Sequence, residues 1–309
     1  MEDARVGRRR FLASVGAAVG GAACAGCVGS VGVSSVDGAE AEPVSMLVAG
    51  SLNDAVENGL APTLGTRLEA EAYGSAHVAR LVAEGTKEPD IVSVADVALF
   101  DSPLHPAWYA EFATNAVVVA YDPDSPGGAR VAAAGPDRWY RPLLSDEVSL
   151  GRTDPALDPL GYRTLFTLEL ASDHYDTAHD LRERVPQRDQ LYPETQLVSQ
   201  FETGSIDAAF VYRSMAVDRG YDFVDLPAAI DLSTTAYADR YATATYELGG
   251  EVVRGGPISY AATVRHGHGS PAVFDAFERH ITGAYLREFG FTVPDDYPRY
   301  TGDVPDALE

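Results

Sequence analysis

The sequence predicts an α/β fold built around a largely parallel sheet, and three observations carry that prediction. From Ser45 onward, short apolar runs of strand length alternate with segments of helical spacing. Glycine and serine stand where the first of those runs stop, at Gly50-Ser51 and Gly74-Ser75. The 309 residues are 46% hydrophobic and 22% charged, ordinary values that exclude wholesale disorder. The length suits two compact units or one large two-lobed one.

Met46-Leu47-Val48-Ala49 is a short buried-strand run that ends at Gly50-Ser51. Residues 53–67 read as a helix interrupted by Pro62 and Gly65. Leu68 to Tyr73 alternates as a strand, and Val78, Leu81 and Val82 then recur at helical spacing. Asp90 to Val94 is another strand. Thr114 to Tyr121 (TNAVVVAY) is the most continuous apolar strand, and Pro123 to Asp137, rich in Pro, Gly and Ala, reads as a loop. A second α/β unit follows: strand Glu147–Gly151, a helix from about Leu160, helix Glu194–Thr203 and strand Ala208–Tyr212. Residues 227–257 read as irregular. Ile258 to Arg265 is again a strand, and 271–289 a helix with Val273, Phe277, Ile281 and Leu286 inward.

The net charge is −23, from 46 acidic against 23 basic residues, and Lys87 is the sole lysine. So acidic a surface repels phosphate backbones, which excludes nucleic acid as a partner class. It suits a protein soluble in high salt, where screening removes most self-repulsion, so the composition reads as halophilic. Cys24 and Cys27 are the only cysteines, which leaves the globular part without a disulfide framework or a thiolate metal site.

Residues 1–27 read as an export signal. Arg8-Arg9-Arg10 precede an uncharged run from Phe11 to Gly26, shorter than the roughly 20 residues a membrane span needs. A short membrane-anchor helix is the competing reading. The paired arginines before Phe11-Leu12 resemble a twin-arginine signal. Ala25-Gly26-Cys27 looks like a lipobox, which would make Cys27 the lipidated residue and the outer face of the cell membrane its location, with Cys24 as the alternative. Residues 28–44 are small, polar and acidic, as a flexible tether should be.

No G-x-S-x-G elbow, phosphate loop, G-x-G-x-x-G opening or H-E-x-x-H pair occurs, so enzyme readings fare badly. His266 and His268 are spaced as a metal pair or as two solvated loop residues. Helix starts say more. Ser51, Ser75, Asp158-Pro159 and Pro193-Glu194 each sit where a helix should begin. Such starts offer unpaired N–H groups to an anion, or they are plain caps. They bear on function when several converge on one cleft, as open α/β sheets arrange at strand carboxyl ends.

One family carries these motifs in this order: Ala49-Gly50-Ser51-Leu52, Gly74-Ser75-Ala76, Pro89-Asp90-Ile91, Gly151-Arg152-Thr153-Asp154-Pro155 with Asp158-Pro159-Leu160-Gly161-Tyr162-Arg163, and Phe210-Val211-Tyr212-Arg213-Ser214. Over residues 45–300 the chain resembles the substrate-binding lipoproteins of molybdate/tungstate ABC transporters, above all their archaeal branch. The resemblance implies a periplasmic-binding-protein type II fold: two α/β lobes, 45–117 plus 257–309 and 118–256, joined by hinge strands TNAVVVAY and ISYAATVR. It also implies that Gly50, Ser51 and Ser75 hold oxyanion oxygens, that Leu160 donates its backbone N–H, and that Tyr212 donates its phenol. Asp158 and Glu194 would coordinate the metal of the anion as a distorted octahedron, with Asp154 the alternative to Asp158. Tyr212 also reads as a strand tyrosine packed in a core.

The carboxylates have a physical logic within that resemblance. A carboxylate facing an anion is repulsive, by about 1 kcal/mol at 4 Å in water and more in a cleft. Molybdenum and tungsten can accept extra oxygen ligands and reverse that sign, whereas sulfur and phosphorus oxyanions do not readily do so. Asp158 and Glu194 would then exclude sulfate and phosphate. The implied function is extracellular capture of molybdate or tungstate by a monomer that delivers it to an ABC permease, with no catalysis and no cofactor. A binder of sulfate or phosphate, or an enzyme on the same scaffold, remain the alternatives.

Overall fold

A computed structural model describes residues 42–185 and 190–308. The leader, Cys24, Cys27 and all but the end of the tether lie outside the described residues. Among the described residues, no helix is long and apolar enough to cross a membrane.

The described part begins with β1 (Val44–Ala49), passes through short helical turns and returns as β2 (Leu68–Tyr73), α1 (Ser75–Ala83) and β3 (Ile91–Val94). Next come β4 (Trp108–Asn115), β5 (Val117–Tyr121), α2 (Pro126–Ala134), β6 (Leu150–Thr153), α3 (Pro159–His174) and α4 (Leu181–Arg184). They are followed by β7 (Leu191–Tyr192), α5 (Glu194–Glu202), β8 (Ala208–Tyr212), α6 (Arg213–Asp218), β9 (Asp222–Val224) and α7 (Ala238–Tyr241). A hairpin of β10 (Thr245–Leu248) and β11 (Glu251–Arg254) leads to β12 (Ile258–Val264), α8 (Pro271–Thr282), α9 (Tyr285–Glu288) and β13 (Arg299–Gly302).

Two sheets organise these elements. The first has the order β13-β4-β12-β3-β1-β2 and the second β7-β6-β8-β5-β9, which makes the fold α/β and two-lobed. Both are mixed rather than largely parallel. β1 runs parallel to β2 and β3, and β6 to β7 and β8, but β12 and β5 are antiparallel to their neighbours. β5 and β12 are the strands that follow the passages between sheets, and edge strand β13 is antiparallel to β4 as well. β1, β3 and β8 are near-continuous apolar runs because both of their faces are covered. On β8, Phe210 joins the large core while Ala209 and Val211 pack with Leu197 and Phe201 of α5 on the opposite face.

Several elements differ from their sequence reading for identifiable reasons. Residues 53–67 wind as a π-helical turn, Ala55–Leu60, and a 3-10 turn, Ala61–Thr63, with Pro62 inside the latter. The Pro123–Asp137 segment contains helix α2, started by the Ser125 hydroxyl on the Gly128 N–H with Pro126 at the first position. Its glycines mimic a loop but are steric necessities: a Cβ on Gly128 would lie 1.9 Å from the Asp122 carbonyl oxygen. The strand expected at Glu147–Gly151 is displaced to Leu150–Thr153. Residues 227–257 hold the β10–β11 hairpin, turned by Gly249 and Gly250 with positive φ. The 271–289 helix breaks at Gly283, although all four predicted inward residues are buried.

TNAVVVAY is two strands, not one. Asn115 ends the first sheet's β4 and Val117 starts the second sheet's β5, so the chain changes sheets at Ala116. ISYAATVR stays in the first sheet as β12. The second passage lies beside Ala116, where Val117 N donates to Asp231 O and Ile258 N donates to Leu232 O, both at 2.9 Å.

At that junction, burial raises the Asp231 carboxyl to about 6, although Ser233 and Tyr241 donate to it. A folded-state value above the unfolded one stabilises fully below the unfolded pKa, near 4. That contribution is lost as pH rises through about 6 and amounts to about 3 kcal/mol. Asp231→Asn keeps the acceptor for Ser233 N and removes the buried charge. Thermal melts should show the variant gaining on wild type between pH 4 and pH 8; an equal difference at both pH values would contradict this origin.

Candidate functional site

Three parallel strand ends open side by side on the first lobe. β1 delivers Gly50 and Ser51, β2 delivers Gly74 and Ser75, and β3 delivers Ala95 and Asp96. On the second lobe, β6 runs into the Asp158 cap of α3, and β8 ends on Tyr212, the cap residue of α6. These ends face one cleft of about 760 Å³, lined among others by Gly50, Ser51, Ser75, Asp96, Asp158, Arg163, Tyr212 and Tyr260. Five of the seven sequence-predicted oxyanion residues therefore meet: Gly50, Ser51, Ser75, Asp158 and Tyr212.

Hydroxyl chemistry makes this cleft a donor surface. The Ser75 hydroxyl accepts from the Ala95 N–H at 3.0 Å, which leaves its own proton to donate elsewhere. Ser51 Oγ lies 2.9 Å from the Tyr260 hydroxyl. The Tyr212 hydroxyl accepts from Arg163 Nη1 at 2.6 Å, so its proton too is free for the cleft. Gly74 caps α1 without a side-chain bond, and the first N–H groups of that helix have no intrahelical partner.

Arg163 was not singled out by the sequence reading. It lies one turn into α3, four residues after Pro159, so the helix carries it on the same side as the Asp158 cap. Gly161 permits that approach, since a Cβ there would lie 2.5 Å from Pro155 N. The guanidinium sits 5.7 Å from the Tyr212 ring centroid, and no described carboxylate stands within ion-pair distance of it. Burial opposes its charge, but Tyr212, Tyr162 and Asp96 push its pKa above the usual arginine value. Burial drives the Tyr212 phenol well above its ordinary range, against the pull of Arg163. Both groups are therefore fixed at neutral pH as one cation and one neutral donor.

Asp158 is held differently. Its Oδ1 accepts from Leu160 N at 2.7 Å, capping α3. Burial raises its pKa, countered by that N–H and by Arg163. The Leu160 N–H assigned to the anion is thus bonded inside the helix cap, and the Leu160 side chain is buried at 1% exposure. Glu194 begins α5 directly after β7, whose register with β6 pairs Thr153 with Tyr192, at the same strand edge that carries Asp158. The Glu194 side chain lies outside the described residues. Asp154 accepts from Ala156 N at 2.8 Å in the loop before the cap.

Among the described residues, no group of three or more His, Cys, Asp or Glu could hold a metal ion. Of the spaced histidines, His268 bonds Asp90 at 2.9 Å.

A two-lobed α/β protein whose strand ends turn hydroxyls, helix N–H groups and the Arg163 guanidinium toward one cleft has the donor chemistry that a small anion needs. Residues 46–291 match the family described as bacterial extracellular solute-binding protein, and the chain belongs to that family. A Haloferax volcanii protein provisionally named an ABC transporter molybdenum-binding protein is 54% identical, over 97% of this chain and 96% of its own. The molybdate/tungstate-binding protein WtpA of Pyrococcus abyssi is 33% identical, over 63% of this chain and 64% of its own. Among solved structures, the periplasmic molybdate-binding protein of Azotobacter vinelandii superposes with a TM-score of 0.54 at 15% identity, covering 82% of this chain and all of that one. That likeness concerns the fold.

Proposed function

We propose that this chain captures molybdate or tungstate outside the cell and delivers it to an ABC importer. The observation that carries the reading is the convergence of the Ser51, Ser75 and Tyr212 hydroxyls on one cleft with Arg163 and Asp158, the last two hydroxyls with protons free to donate. The names of the Haloferax and Pyrococcus relatives support the choice of anion. In this reading the lobes, 45–117 plus 257–309 and 118–256, close on the anion as it gains contacts from both. The Asp158 carboxylate leaves its cap on Leu160 to reach the metal of the anion, and the released Leu160 N–H becomes a donor. Glu194 supplies the second carboxylate. The protein acts as a binding monomer and not as an enzyme, and it requires no cofactor.

Titration calorimetry in molar salt tests the reading with tungstate, molybdate, sulfate and phosphate. Tungstate and molybdate should bind at least a hundredfold more tightly than the other two. Sulfate or phosphate bound as tightly would overturn it.

The acidic composition and the haloarchaeal relative support a halophilic protein. Export through the arginine-rich leader and anchoring by a lipidated Cys27 complete the proposal. Mass spectrometry of the membrane-bound form should find Cys27 as a lipid-modified first residue, and an intact leader would refute it.

A further inference from the structure

At the passage between the sheets sits a polar group whose oxygen caps α6 and whose nitrogen does something else. Asn115, the last residue of β4, is fully buried. Its Oδ1 accepts from Ala116 N at 2.9 Å and from Ser214 N at 3.3 Å, which fixes which end of the amide carries the hydrogens. Nδ2 then donates in two directions: to Ser214 Oγ at 2.8 Å and to the Tyr260 hydroxyl at 3.1 Å. Ser214 belongs to α6 of the second lobe, and Tyr260 to β12 of the first.

The 2.9 Å contact between Tyr260 and Ser51 allows either hydroxyl to donate, and the direction follows from where the buried phenol proton can go. The Tyr260 hydroxyl has accepted from Asn115, and it is buried at 1% exposure beside Phe291 and Phe112. Its own proton has Ser51 Oγ within reach at 2.9 Å. Burial raises the phenol's pKa, so it keeps that proton at neutral pH. Ser51 Oγ thereby becomes an acceptor toward Tyr260, and its hydroxyl hydrogen is left to the cleft.

We infer that Asn115 and Tyr260 are positioning residues that commit the Ser51 hydroxyl to donate into the anion cleft, through the relay Asn115 Nδ2–H to Tyr260 O–H to Ser51 Oγ–H. The inference rests on the proposed reading of the cleft as an anion site. The same amide orients Ser214 on the opposite lobe, so one residue at the passage between lobes sets a cleft-lining hydroxyl on each side of it. Without the relay, Ser51 rotates among its staggered positions and pays to be aligned when the anion arrives.

A double-mutant cycle between Tyr260→Phe and Ser51→Ala tests this. Phenylalanine keeps the ring packing and removes only the relay oxygen. Each single variant should weaken binding of the tightest anion of the four by about fivefold, the scale of one net hydrogen bond. The double variant should be no weaker than Ser51→Ala alone, because Tyr260 acts through Ser51. A merely structural Tyr260 would instead give losses that multiply, and that result overturns the relay while leaving the anion reading intact. A wild-type chain that binds none of the four anions overturns both.

Discussion

The Arg163→Met variant is expected to lose about a hundredfold in affinity for every oxyanion the wild type binds, with little change in melting temperature. Methionine matches much of the arginine stem but removes two things at once. One is the half-buried positive charge facing a dianion. The other is the 2.6 Å bond from Nη1 that turns the Tyr212 proton toward the cleft. A hydrogen bond to a charged group contributes about 1.5–3 kcal/mol, and the upper end of that range corresponds to the predicted factor. The melting temperature should hold because Arg163 has no ion pair to lose among the described residues, and removing it spares a partly desolvated charge. Arg163→Lys should fall between, since it keeps the charge and forfeits the planar fork. Calorimetry in molar salt is the measurement. Unchanged affinity in Arg163→Met would show that the guanidinium only props the tyrosine ring.

The second large effect is one of selectivity. Replacing Asp158 by Asn and Glu194 by Gln keeps much of the side-chain shape, weakens the oxygen donors and deletes both charges. Binding of tungstate and molybdate should fall tenfold or more, while sulfate should bind no worse or somewhat better. The sign differs between anions because a carboxylate next to sulfate is only repulsive, whereas next to a metal that accepts further oxygens it is a ligand. Asn at position 158 retains an oxygen for the Leu160 N–H, so α3 stays capped. Equal loss for all anions would mean that the pair shapes the cleft without selecting the metal. Undiminished tungstate binding would reduce both residues to helix caps.

Much of the scaffold was legible because its signals are local. Strand Ala208–Tyr212 matches its sequence reading residue for residue, since an apolar run buried on both faces and ended by the polar start of a helix has few other solutions. Ser51 and Ser75 were legible for a similar reason, as a glycine-serine step at a strand end marks a helix start. Helix α2 was hidden because Gly127 and Gly128 lower helix propensity, and the close approach of Asp207 and Asp122 that requires them is tertiary. The break at Ala116 was hidden because an unbroken apolar run does not say which sheet each half joins. The site divides along the same line. Arg163 had a usable signal in its one-turn spacing from Pro159, but nothing in the sequence separates it from a solvated arginine. Tyr260 had none, since its partner Ser51 lies 209 residues away along the chain.

The carboxylate account makes its sharpest claim about the bound anion itself. X-ray absorption at the tungsten edge, on the protein saturated with tungstate, counts the oxygens around the metal directly. Six oxygens, falling to four in the Asp158→Asn/Glu194→Gln variant at saturating tungstate, is the predicted result. Four oxygens in the wild-type complex would contradict it, because the anion would then be held by hydrogen bonds alone.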